Sequence, residues 1–445
     1  MKPTLKPYQM EGRDFLASRS KALLADQMRL GKTVQAIAAA VKVDAKRILV
    51  LCPAIAVDVW KQHFEDWDPR GISIIDFRKF NTEPVDLECV LILGYDMLSR
   101  YTDLLLLFDW DLLICDESHY LKSPEAKRTW AVYGTQGLVR QAKRVWCLTG
   151  TPMPNNPAEL WTMLYTFGTT RLSYADFINQ YCIVNCWGKI QGAREEGREE
   201  LRAIMDRVMM RRLTKQVLGQ LPSAIVQEVF VEPDASLLDL VWPVDFPDEL
   251  IQAREAEKTL RMLLTDTPRE YQSQVLTQNT KTFQSWRRLS AMLKAPECIR
   301  LVTVEVLTET VDKVVVFGYH REPLMVMKRL LKDGGVKVGL ILGSTGRQRR
   351  AAQLRRFQTP GGGLQVLLCQ IQTAGTAIDL SVAREAIVLE EDWVPGNNAQ
   401  AMERLGGIRQ LHQVRIRKLI LADSIDEIVS RVVMRKSRDI SALFD

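Results

Sequence analysis

The segment from Leu23 to Thr33 constrains the fold of this chain more than any other part of its sequence. The apolar run Leu23–Ala25 leads into a loop that ends in Gly-Lys-Thr, and a helix-like segment follows from Val34 to Val41. A strand, a loop and a helix in this order bring backbone N–H groups and a helix N-terminus to one point, where they can hold phosphate groups. The match to a phosphate-binding loop is incomplete, because Asp26 stands where the pattern requires glycine. The remaining Gly-Lys-Thr is weak evidence alone, since this tripeptide is common by chance.

A second apolar run ends in two carboxylates. Residues 111–119 read Asp-Leu-Leu-Ile-Cys-Asp-Glu-Ser-His. Continuous apolar runs are typical of parallel strands that are buried on both faces, and ligands bind at the carboxyl ends of such strands. Asp116 and Glu117 stand at that end. An acidic loop after an ordinary strand is the alternative interpretation, and the presence of a phosphate loop elsewhere in the chain favours the first one.

Together the two segments predict an ATPase that uses ATP and Mg²⁺. Lys32 would reach the β- and γ-phosphates, and the Thr33 hydroxyl would bind Mg²⁺. Asp116 suits a further ligand of the metal, which it would hold through the water shell. Glu117 suits a base that polarises the attacking water.

The bulk composition bounds the size and class of the protein. The chain has 445 residues, of which 47% are hydrophobic, so two or three domains are expected. Lys and Arg number 60 against 54 Asp and Glu, and the net charge of +6 is compatible with a nucleic-acid partner. The start of the chain has no long apolar segment, and the most apolar run, Leu104–Phe108, is too short for a bilayer. We therefore expect neither a signal peptide nor a membrane span.

Cysteine and histidine usage argues against a zinc site. Cys182 and Cys186 form one pair with no second pair nearby, and the chain has only four His, whereas structural zinc needs about four ligands. Other cysteines lie in apolar runs and read as buried thiols that form no disulfide: Cys52, Cys115, Cys147 and Cys369. A reducing, intracellular setting follows, which would be cytoplasmic in a prokaryote or phage and nuclear in a eukaryote.

Short apolar runs alternate with helical periods at both ends of the chain, which indicates parallel α/β sheets. The first group predicts strands at 47–53, 90–94, 112–115 and 145–150, with a helix at 56–67 between two of them. The second group predicts strands at 313–317, 338–342, 364–369, 386–389 and 417–421. Residues 248–293 are polar, charged and helical in pattern. We predict a first lobe at 1–232, a helical protrusion and linker at 233–293, and a second lobe at 294–445.

Short motifs follow one another along nearly the whole chain. They are Leu5-Lys6-Pro7-Tyr8-Gln9, Asp26–Thr33, Pro53–Trp60, Asp116-Glu117-Ser118-His119, Leu148-Thr149-Gly150-Thr151-Pro152, Met210–Lys215, Gly343-Ser344-Thr345, Thr373-Ala374-Gly375, Trp393-x-Pro395 and Gln400-Ala401-x-x-Arg404. Each motif is modest alone, but the order and spacing are specific. The series resembles the Swi/Snf-type ATPases of helicase superfamily two, and within them a small DNA-translocase branch that includes annealing helicases and phage or bacterial homologues. Gln27 and Arg29 depart from the family's usual Glu and Gly.

The resemblance implies a fold and a set of site residues. The fold would be of the α/β class, with two RecA-like parallel-sheet lobes and a helical insertion between them. Gln9 would read adenine, and Thr33 and Asp116 would hold Mg²⁺. The residues implied in nucleotide binding are Tyr8, Gln9, Leu30, Gly31, Lys32, Thr33, Gly375 and Asp379. Those implied in catalysis are Lys32, Asp116, Glu117, Arg404 and Arg409. Those implied in DNA binding are Pro53, Thr149, Arg211, Arg212, Ser344, Thr345, Thr373 and Trp393.

Positive charge is clustered at two places. Arg207, Arg211, Arg212 and Lys215 are spaced to share roughly one helical face, and residues 343–356 hold five Arg and no acid. Such runs fit contacts with nucleic-acid phosphates, which supply affinity without sequence readout. A solvated helix face is the alternative for each run. The sequence has no zinc-finger or helix-turn-helix pattern, so sequence-specific binding is not expected.

The last motif departs from the family pattern. The family sequence Gln-Ala-x-x-Arg-x-x-Arg-x-Gly-Gln is matched at 400–410 with Gly407 in place of the second arginine and Arg409 in place of the glycine. That second arginine acts on the γ-phosphate in the family. An arginine two positions further along a helix points to another face. Either the local backbone lets Arg409 replace it, or hydrolysis is weakened.

The sequence therefore predicts a DNA-dependent ATPase that translocates on double-stranded DNA and remodels DNA or protein–DNA complexes without sequence specificity. We expect double-stranded or branched DNA as its partner, a monomeric state and no membrane association. Two alternatives stay open. One is a nucleotide-gated DNA clamp with weak hydrolysis, which Gly407 favours, and the other is a strand-separating DNA or RNA helicase.

We expect that nothing replaces the missing arginine, so the wild-type chain should hydrolyse ATP slowly and Gly407→Arg should accelerate it. An arginine that stabilises the transferring phosphate is worth ~10³–10⁵ in rate in well-studied nucleotidases. Steady-state hydrolysis by the wild type, Gly407→Arg and Arg409→Ala tests this. A large loss in Arg409→Ala together with an unchanged Gly407→Arg would show that Arg409 has taken over the role.

Overall fold

The computed structural model describes residues 4–77, 88–185, 188–217, 224–232, 280–361, 363–374, 378–406, 410 and 412–444. Contacts within the chain divide it into two compact units. The first unit contains Met1–Ile183, Gly192–Gln220 and Asp439–Asp445. The second unit contains Val184–Gln191 and Leu221–Arg438.

Short strands alternate with helices along the chain, as the alternation of apolar runs predicts. The strands are β1 (Lys21–Leu24), β2 (Arg47–Cys52), β3 (Ser73–Asp76), β4 (Cys89–Gly94), β5 (Trp110–Asp116), β6 (Ala142–Leu148), β7 (Cys182–Val184), β8 (Ile190–Ala193), β9 (Met209–Met210), β10 (Ile225–Val231), β11 (Val314–Gly318), β12 (Val338–Ile341), β13 (Val366–Gln370), β14 (Glu385–Val388) and β15 (Arg415–Leu421). The helices are α1 (Pro7–Ala17), α2 (Lys32–Lys42), α3 (Val57–Trp67), α4 (Leu98–Leu105), α5 (Lys127–Tyr133), α6 (Trp161–Phe167), α7 (Tyr174–Tyr181), α8 (Arg198–Asp206), α9 (Thr214–Val217), α10 (Thr280–Leu307), α11 (Arg321–Asp333), α12 (Arg347–Gln358), α13 (Ile371–Ala374), α14 (Pro395–Glu403) and α15 (Ile425–Phe444).

Each unit is built on one parallel sheet. As far as the structure describes it, the first sheet has seven strands in the order β3-β4-β2-β5-β6-β1-β9, and the second has six in the order β10-β15-β14-β11-β13-β12. Neighbouring strands run parallel throughout both sheets. Strands β7 and β8 pair with each other. The predicted α/β fold with two parallel-sheet lobes is confirmed.

Both faces of the first sheet are buried, because successive residues of each strand contribute to two different cores. Leu49 and Leu51 of β2 pack in one core, whereas Ile48 and Val50 pack in the other. The second core also contains Trp60 and other residues from α2 and α3, which cover that face of the sheet. Burial on both faces explains why the strands read as continuous apolar runs rather than as alternating ones.

The central strands of the second sheet are buried in the same way, whereas its edge strand β10 is largely exposed. Val315 and Phe317 of β11 pack in one core, and Val314 and Val316 pack in another. Apolar residues of α10 and α11 complete the core on the side of Val314. The two cores of each unit confirm the predicted strands, which all lie close to their predicted bounds.

Five described strands, β3, β7, β8, β9 and β10, were not predicted, and one of them changes the first predicted lobe. β3, β7, β8 and β9 have only two to four residues each, and Gln227 and Glu228 interrupt the apolar run of β10. β10 pairs with β15 over Ile225–Val231, and this segment therefore belongs to the second unit rather than to a first lobe that ends at 232. Most of the predicted protrusion, at 233–279, lies outside the described residues, and 280–293 begin helix α10. The remaining domain limits stay a prediction.

Two further expectations concern cysteines and membranes. The predicted thiols Cys52, Cys115, Cys147 and Cys369 are buried and form no disulfide. Cys186 lies outside the described residues. Among the helices that the structure describes, none has the length and apolar character that a bilayer crossing requires.

Candidate functional site

The carboxyl edge of the first sheet gathers four loops. Because its strands run parallel, the segments that follow β1, β2, β5 and β6 all start at this edge. The register pairs Leu24, at the end of β1, with Leu148 at the end of β6, and it pairs Leu148 in turn with Asp116 at the end of β5. The predicted phosphate loop and the predicted carboxylates therefore come from strands that are separated only by β6.

The loop after β1 has the backbone of an anion-binding loop. Helix α2 begins at Lys32, and the residue before it, Gly31, has a left-handed backbone with φ +79°. A Cβ at this glycine would lie 2.5 Å from the side-chain nitrogen of Gln9, so the position requires glycine. Arg29 is also left-handed, with φ +67°, at the place where the family usually has glycine. No described side chain caps the start of α2, and such helix starts attract phosphate groups.

Lys32 reaches back over this loop. Its Nζ donates to the carbonyl oxygen of Asp26 at 2.7 Å and lies 3.4 Å from the carbonyl oxygen of Gln27. A Cβ on Gly150, which follows β6, would lie 3.4 Å from the same nitrogen. The ammonium group is therefore placed between the loop and the end of β6, where it can meet the terminal phosphates of a nucleotide.

The predicted adenine-reading residue lies against the same loop. The side-chain amide of Gln9 donates to the carbonyl oxygen of Leu30 at 3.3 Å, and its oxygen accepts from the backbone N–H of Lys6 at 2.9 Å. Gln9 and Tyr8 are both only 7% exposed. The structure thus brings together Tyr8, Gln9, Leu30, Gly31 and Lys32, which the sequence assigns to nucleotide binding.

Asp116 is held at the end of β5 by three groups. The indole N–H of Trp60 donates to Asp116 Oδ2 at 2.7 Å, and the backbone N–H of Glu117 donates to Oδ1 at 3.0 Å. The Tyr95 hydroxyl donates to the backbone oxygen of Asp116 at 2.9 Å. Burial, and then the negative charge of Glu117, raise the pKa of Asp116 to about 7.

Because the pKa of Asp116 is raised, a cation bound beside the carboxylate pair would favour the ionised form of Asp116. Lys32 and the Trp60 hydrogen bond oppose the shift but do not cancel it. Hard oxygen donors such as the Thr33 hydroxyl and the Asp116 carboxylate suit Mg²⁺. These two residues therefore fit the metal that the sequence predicts for them.

Glu117 belongs to a hydrogen-bonded cluster with His119 and Thr149. The Thr149 hydroxyl lies 3.0 Å from His119 Nδ1 and donates to Glu117 Oε2 at 3.5 Å. Burial lowers the pKa of His119 to about 3, so the ring is neutral near pH 7 and can donate from Nδ1 to the hydroxyl. Glu117 also has a left-handed backbone, with φ +48°. Such a backbone costs ~1–3 kcal/mol and concentrates at functional sites.

Several residues that the sequence assigns to DNA binding lie inside the first unit. Thr149 is 1% exposed, so its hydroxyl serves the carboxylate cluster rather than an outer surface. Pro53, which follows β2, is buried. Arg211 and Arg212 donate hydrogen bonds to the phosphate-loop segment. The prediction that the basic residues of 207–215 share one helical face is wrong. Helix α8 ends at Asp206, and Met209–Met210 form a strand that pairs with β1.

The second unit brings another set of predicted DNA-binding residues together. Ser344 and Thr345 follow β12 in a turn, with Ser344 exposed and Thr345 half-buried, and the Thr345 hydroxyl accepts from the backbone N–H of Leu342 at 2.9 Å. A Cβ on Gly343 would lie 3.7 Å from the hydroxyl of Thr373, so this residue borders the same turn. Trp393 follows Asp392, whose carboxylate accepts from the side-chain amide of Gln372 at 3.3 Å, and Lys436 Nζ lies 4.6 Å from the centre of the Trp393 ring.

The structure describes two further predicted residues of this unit, Arg404 and Asp379. Arg404 ends helix α14, and its carbonyl oxygen accepts from the backbone N–H of Leu380 at 3.1 Å. The carboxylate of Asp379 accepts from the N–H and the hydroxyl of Ser381 at 3.0 and 2.7 Å. Gly375, Gly407 and Arg409 lie outside the residues that the structure describes.

The second basic run forms a helix with an exposed arginine surface. This run includes most of α12, a helix that contains no acidic residue. Arg350 is partly buried and donates to the Thr345 carbonyl oxygen at 3.3 Å. The exposed members are Arg347, Arg349, Arg355 and Arg356. This surface follows directly on the Ser344–Thr345 turn.

Sequence reasoning missed the role of Trp60 and of Asp26. In the sequence, Trp60 is only the last residue of a motif that follows β2. Asp26 is only the position at which the chain departs from the phosphate-loop pattern. No spacing rule could join Trp60 to Asp116, because the two residues meet only once β2 and β5 pair. An indole in the first turn of an amphipathic helix is typical of an ordinary core residue.

These features define an ATP-hydrolysing, helicase-like enzyme. The model of the SNF2-related domain matches residues 8–239, and that of the helicase conserved C-terminal domain matches residues 294–409. The chain belongs to the SNF2-related family, the Swi/Snf-type ATPases of helicase superfamily two.

Similar proteins include chromatin regulators and annealing helicases. The chain is 30% identical to the SWI/SNF-related matrix-associated actin-dependent regulator of chromatin subfamily A-like protein 1 of Drosophila melanogaster, over 98% of this chain and 55% of that protein. It is 26% identical to the human DNA annealing helicase and endonuclease ZRANB3, over 98% of this chain and 40% of that protein. The chain thus spans about half the length of these relatives. Among solved structures, the Sulfolobus solfataricus SWI2/SNF2 ATPase core in complex with dsDNA is 21% identical, with 99% of this chain and 95% of that chain covered and a TM-score of 0.47.

Trp60→Phe should weaken the metal site without unfolding the protein. The change removes the N–H that holds Asp116 Oδ2 and keeps an aromatic ring in the core. Loss of such a supporting hydrogen bond typically costs about 10- to 100-fold in metal affinity or activity. ATP hydrolysis measured over a series of Mg²⁺ concentrations should therefore show a higher Mg²⁺ requirement.

Trp146→Phe is the matched control for this change. Trp146 is also fully buried and donates its indole N–H to a backbone oxygen, that of Arg19, at 3.2 Å. Both variants should lose thermal stability, but only Trp60→Phe should change the dependence on Mg²⁺. The same dependence in both variants would reject the supporting role of Trp60.

Proposed function

We propose that this chain is an ATPase that is stimulated by double-stranded DNA and translocates along it, remodelling DNA or protein–DNA complexes without sequence specificity. The observation that carries the proposal is the assembly at one sheet edge of the Gly31–Lys32 loop and the cluster of Glu117, His119 and Thr149. Membership of the SNF2-related family supports ATP hydrolysis coupled to DNA.

Several residues of the first unit would each make a different contact with the nucleotide or the metal. Gly31 and Thr33 would offer backbone N–H groups to the phosphates, while Lys32 would place its ammonium on the outer ones. Gln9 would contact the base. Mg²⁺, held by Thr33 and Asp116, would neutralise charge on the β- and γ-phosphates when bound.

Glu117 is the residue we assign to water activation. A water attacks the γ-phosphorus, the bond from that phosphorus to the bridging oxygen breaks, and the water's proton passes to the carboxylate of Glu117. The products are ADP and inorganic phosphate. The Thr149 hydroxyl, which donates to Glu117 Oε2, would keep that carboxylate oriented during the step. The roles of Gly375, Asp379, Arg404 and Arg409 stay predictions.

DNA would be held mainly through its phosphates. The exposed arginines of α12 and the adjoining Ser344–Thr345 turn are suited to hydrogen bonds with phosphate oxygens. Binding of this kind weakens steeply with salt and differs little between sequences. It suits an enzyme that moves along DNA rather than one that stays at a particular site.

Glu117→Gln should bind ATP and fail to turn it over, because the attacking water loses its base. General bases contribute roughly 10²–10⁴ in rate. Lys32→Ala should instead weaken nucleotide binding, since the phosphates lose their cationic partner. Binding of a fluorescent ATP analogue and steady-state phosphate release separate the two effects.

Glu88→Gln and Lys46→Ala are the matched controls. These residues form an exposed ion pair of 2.5 Å and lie next to the N-terminal ends of β2 and β4, at the other edge of the sheet. Both variants should keep wild-type binding and turnover. If Glu117→Gln retains wild-type turnover, the role given to that carboxylate is wrong.

Duplex DNA should stimulate ATP hydrolysis more than RNA of equal length. A translocase on duplex DNA should also displace the third strand of a triplex in an ATP-dependent way without opening the duplex beneath it. Phosphate release and gel-based strand displacement measure both. Equal stimulation by RNA, or separation of the two duplex strands, would favour a strand-separating helicase, and DNA binding without measurable turnover would favour the clamp.

A further inference from the structure

Asp26, the residue that breaks the phosphate-loop pattern, is completely buried and fully hydrogen-bonded. Its exposure is 0%. Oδ1 accepts from Arg212 Nε at 3.0 Å, and Oδ2 accepts from Arg212 Nη2 at 2.6 Å. Oδ2 also accepts from the side-chain amide of Gln35 at 3.1 Å. The carboxylate therefore faces a bidentate guanidinium rather than a phosphate.

Arg212 uses the rest of its guanidinium on two further segments. Nη2 also donates to Gln35 Oε1 at 2.9 Å, in helix α2. Nη1 donates to the backbone oxygen of Tyr8 and, at 3.2 Å, to the carboxylate of Glu11, both in helix α1. One side chain thus joins α1, the start of the loop and α2, although these segments are far from it in sequence.

The donors of Arg212 are all accounted for within the first unit. A guanidinium has five N–H groups, and five acceptors surround this one: the two oxygens of Asp26, Gln35 Oε1, the Tyr8 carbonyl and the Glu11 carboxylate. The side chain is 12% exposed. No donor is left for a DNA phosphate, so the predicted DNA contact of Arg212 does not fit its surroundings.

Arg211 holds the same loop from its other side. Its Nη1 lies 3.3 Å from the carbonyl oxygens of Ala25 and of Gly150. The guanidinium carbon is 5.1 Å from the centre of the Phe444 ring. Arg211 therefore ties the residue before Asp26 to the motif that follows β6.

The backbone beside these arginines continues the sheet into the loop. The N–H of Ala25 donates to the Met210 carbonyl at 2.7 Å, and the N–H of Gln27 donates to the Arg212 carbonyl at 2.9 Å. Asp26 lies between these two bonds, and its own carbonyl receives Lys32 Nζ at 2.7 Å. The position of Asp26 thus sets where the ammonium group of Lys32 rests.

Gly12 shows how closely this arrangement is packed. A Cβ at that position would lie 1.7 Å from Gln35 Oε1 and 2.8 Å from Arg212 Nη2. Only glycine at this turn of α1 leaves room for the two side chains. A methyl group there would disturb the arrangement without changing any charge.

We propose that Asp26, Gln35, Arg211 and Arg212 form a latch that positions the phosphate loop for the nucleotide. In this loop latch the two arginines are positioning residues, which act through Asp26 and Lys32 and touch no DNA. The proposal rests on the nucleotide-binding role proposed for the loop. Buried ion pairs contribute little net stability because of their desolvation cost, and the bidentate geometry instead fixes the backbone that must meet the phosphates.

Arg212→Lys tests the latch with the charge retained. A lysine has a single point charge and cannot bridge Asp26, Gln35 and the Tyr8 carbonyl together. The dissociation constant of a fluorescent ATP analogue and the KM for ATP should rise on the order of 10- to 100-fold, the size of effect expected when a binding group is misplaced by about 1 Å. The kcat at saturating ATP should fall by less, and duplex DNA affinity without nucleotide should keep its salt dependence.

Two further variants keep the test decisive. Gly12→Ala should reproduce the nucleotide effect by steric means alone, and Gln35→Met should do so more mildly if either of the others fails to fold. Arg13→Lys is the control, because Arg13 lies on the same helix and pairs with Asp14 at the surface. It should leave nucleotide binding unchanged.

The outcomes separate the latch from its rivals and from the proposed function. Unchanged nucleotide binding in a folded Arg212→Lys, with a weaker salt dependence of DNA binding, would overturn the latch and restore a phosphate contact. A lower melting temperature with unchanged nucleotide binding and KM would overturn it in favour of a purely structural pair. A wild-type chain that binds no ATP analogue would instead refute the proposed function itself.

Discussion

The parallel pairing of β1 with β6 on one side and β9 on the other is the interaction on which the site depends. It brings the phosphate loop, the end of β6 and the two arginines after β9 to one edge of the sheet. Backbone bonds from Ala25 and Gln27 to the β9 side prolong this pairing beyond the end of β1. The first half of the loop is therefore fixed like a strand, and the left-handed residues Arg29 and Gly31 turn the second half into helix α2.

Asp26 and Asp116, which both lie at this edge, differ in how their negative charge is balanced. Asp26 is matched within the chain by Arg212 at 2.6 Å and by the amide of Gln35. Asp116 instead lies beside another carboxylate, Glu117, and its pKa is raised to about 7 by burial and by that neighbour. A divalent cation would relieve this repulsion. The same edge thus contains one carboxylate that holds the loop in place and one that is suited to a metal.

The sequence alone predicts most strands of the two sheets and the phosphate-loop and carboxylate motifs that follow β1 and β5. Continuous apolar runs revealed the buried strands, and Gly-Lys-Thr and Asp-Glu-x-His revealed the loops, because those signals are local. β9 and β10 were not predicted, because β9 has only two residues and Gln227 and Glu228 interrupt the apolar run of β10. The hydrogen bond from Trp60 to Asp116 and the contacts of Arg212 could not be predicted from the sequence. They join segments that are distant in the chain and become neighbours only through the order of strands in the sheet. Arg211 and Arg212 were predicted to form part of a basic surface for DNA. Charge alone does not reveal whether a guanidinium is already hydrogen-bonded within the protein.

Hydrogen exchange with and without a non-hydrolysable ATP analogue and Mg²⁺ tests the central claim, that the carboxyl edge of the first sheet is the nucleotide site. Backbone N–H groups at a phosphate site are covered by the ligand, so their exchange should slow. We expect protection in peptides that cover the loop from Ala25 to Thr33 and the turn from Asp116 to Leu121, with none around Lys46 and Glu88. Binding of the analogue without protection in the loop, or with protection confined to another part of the chain, would contradict the account.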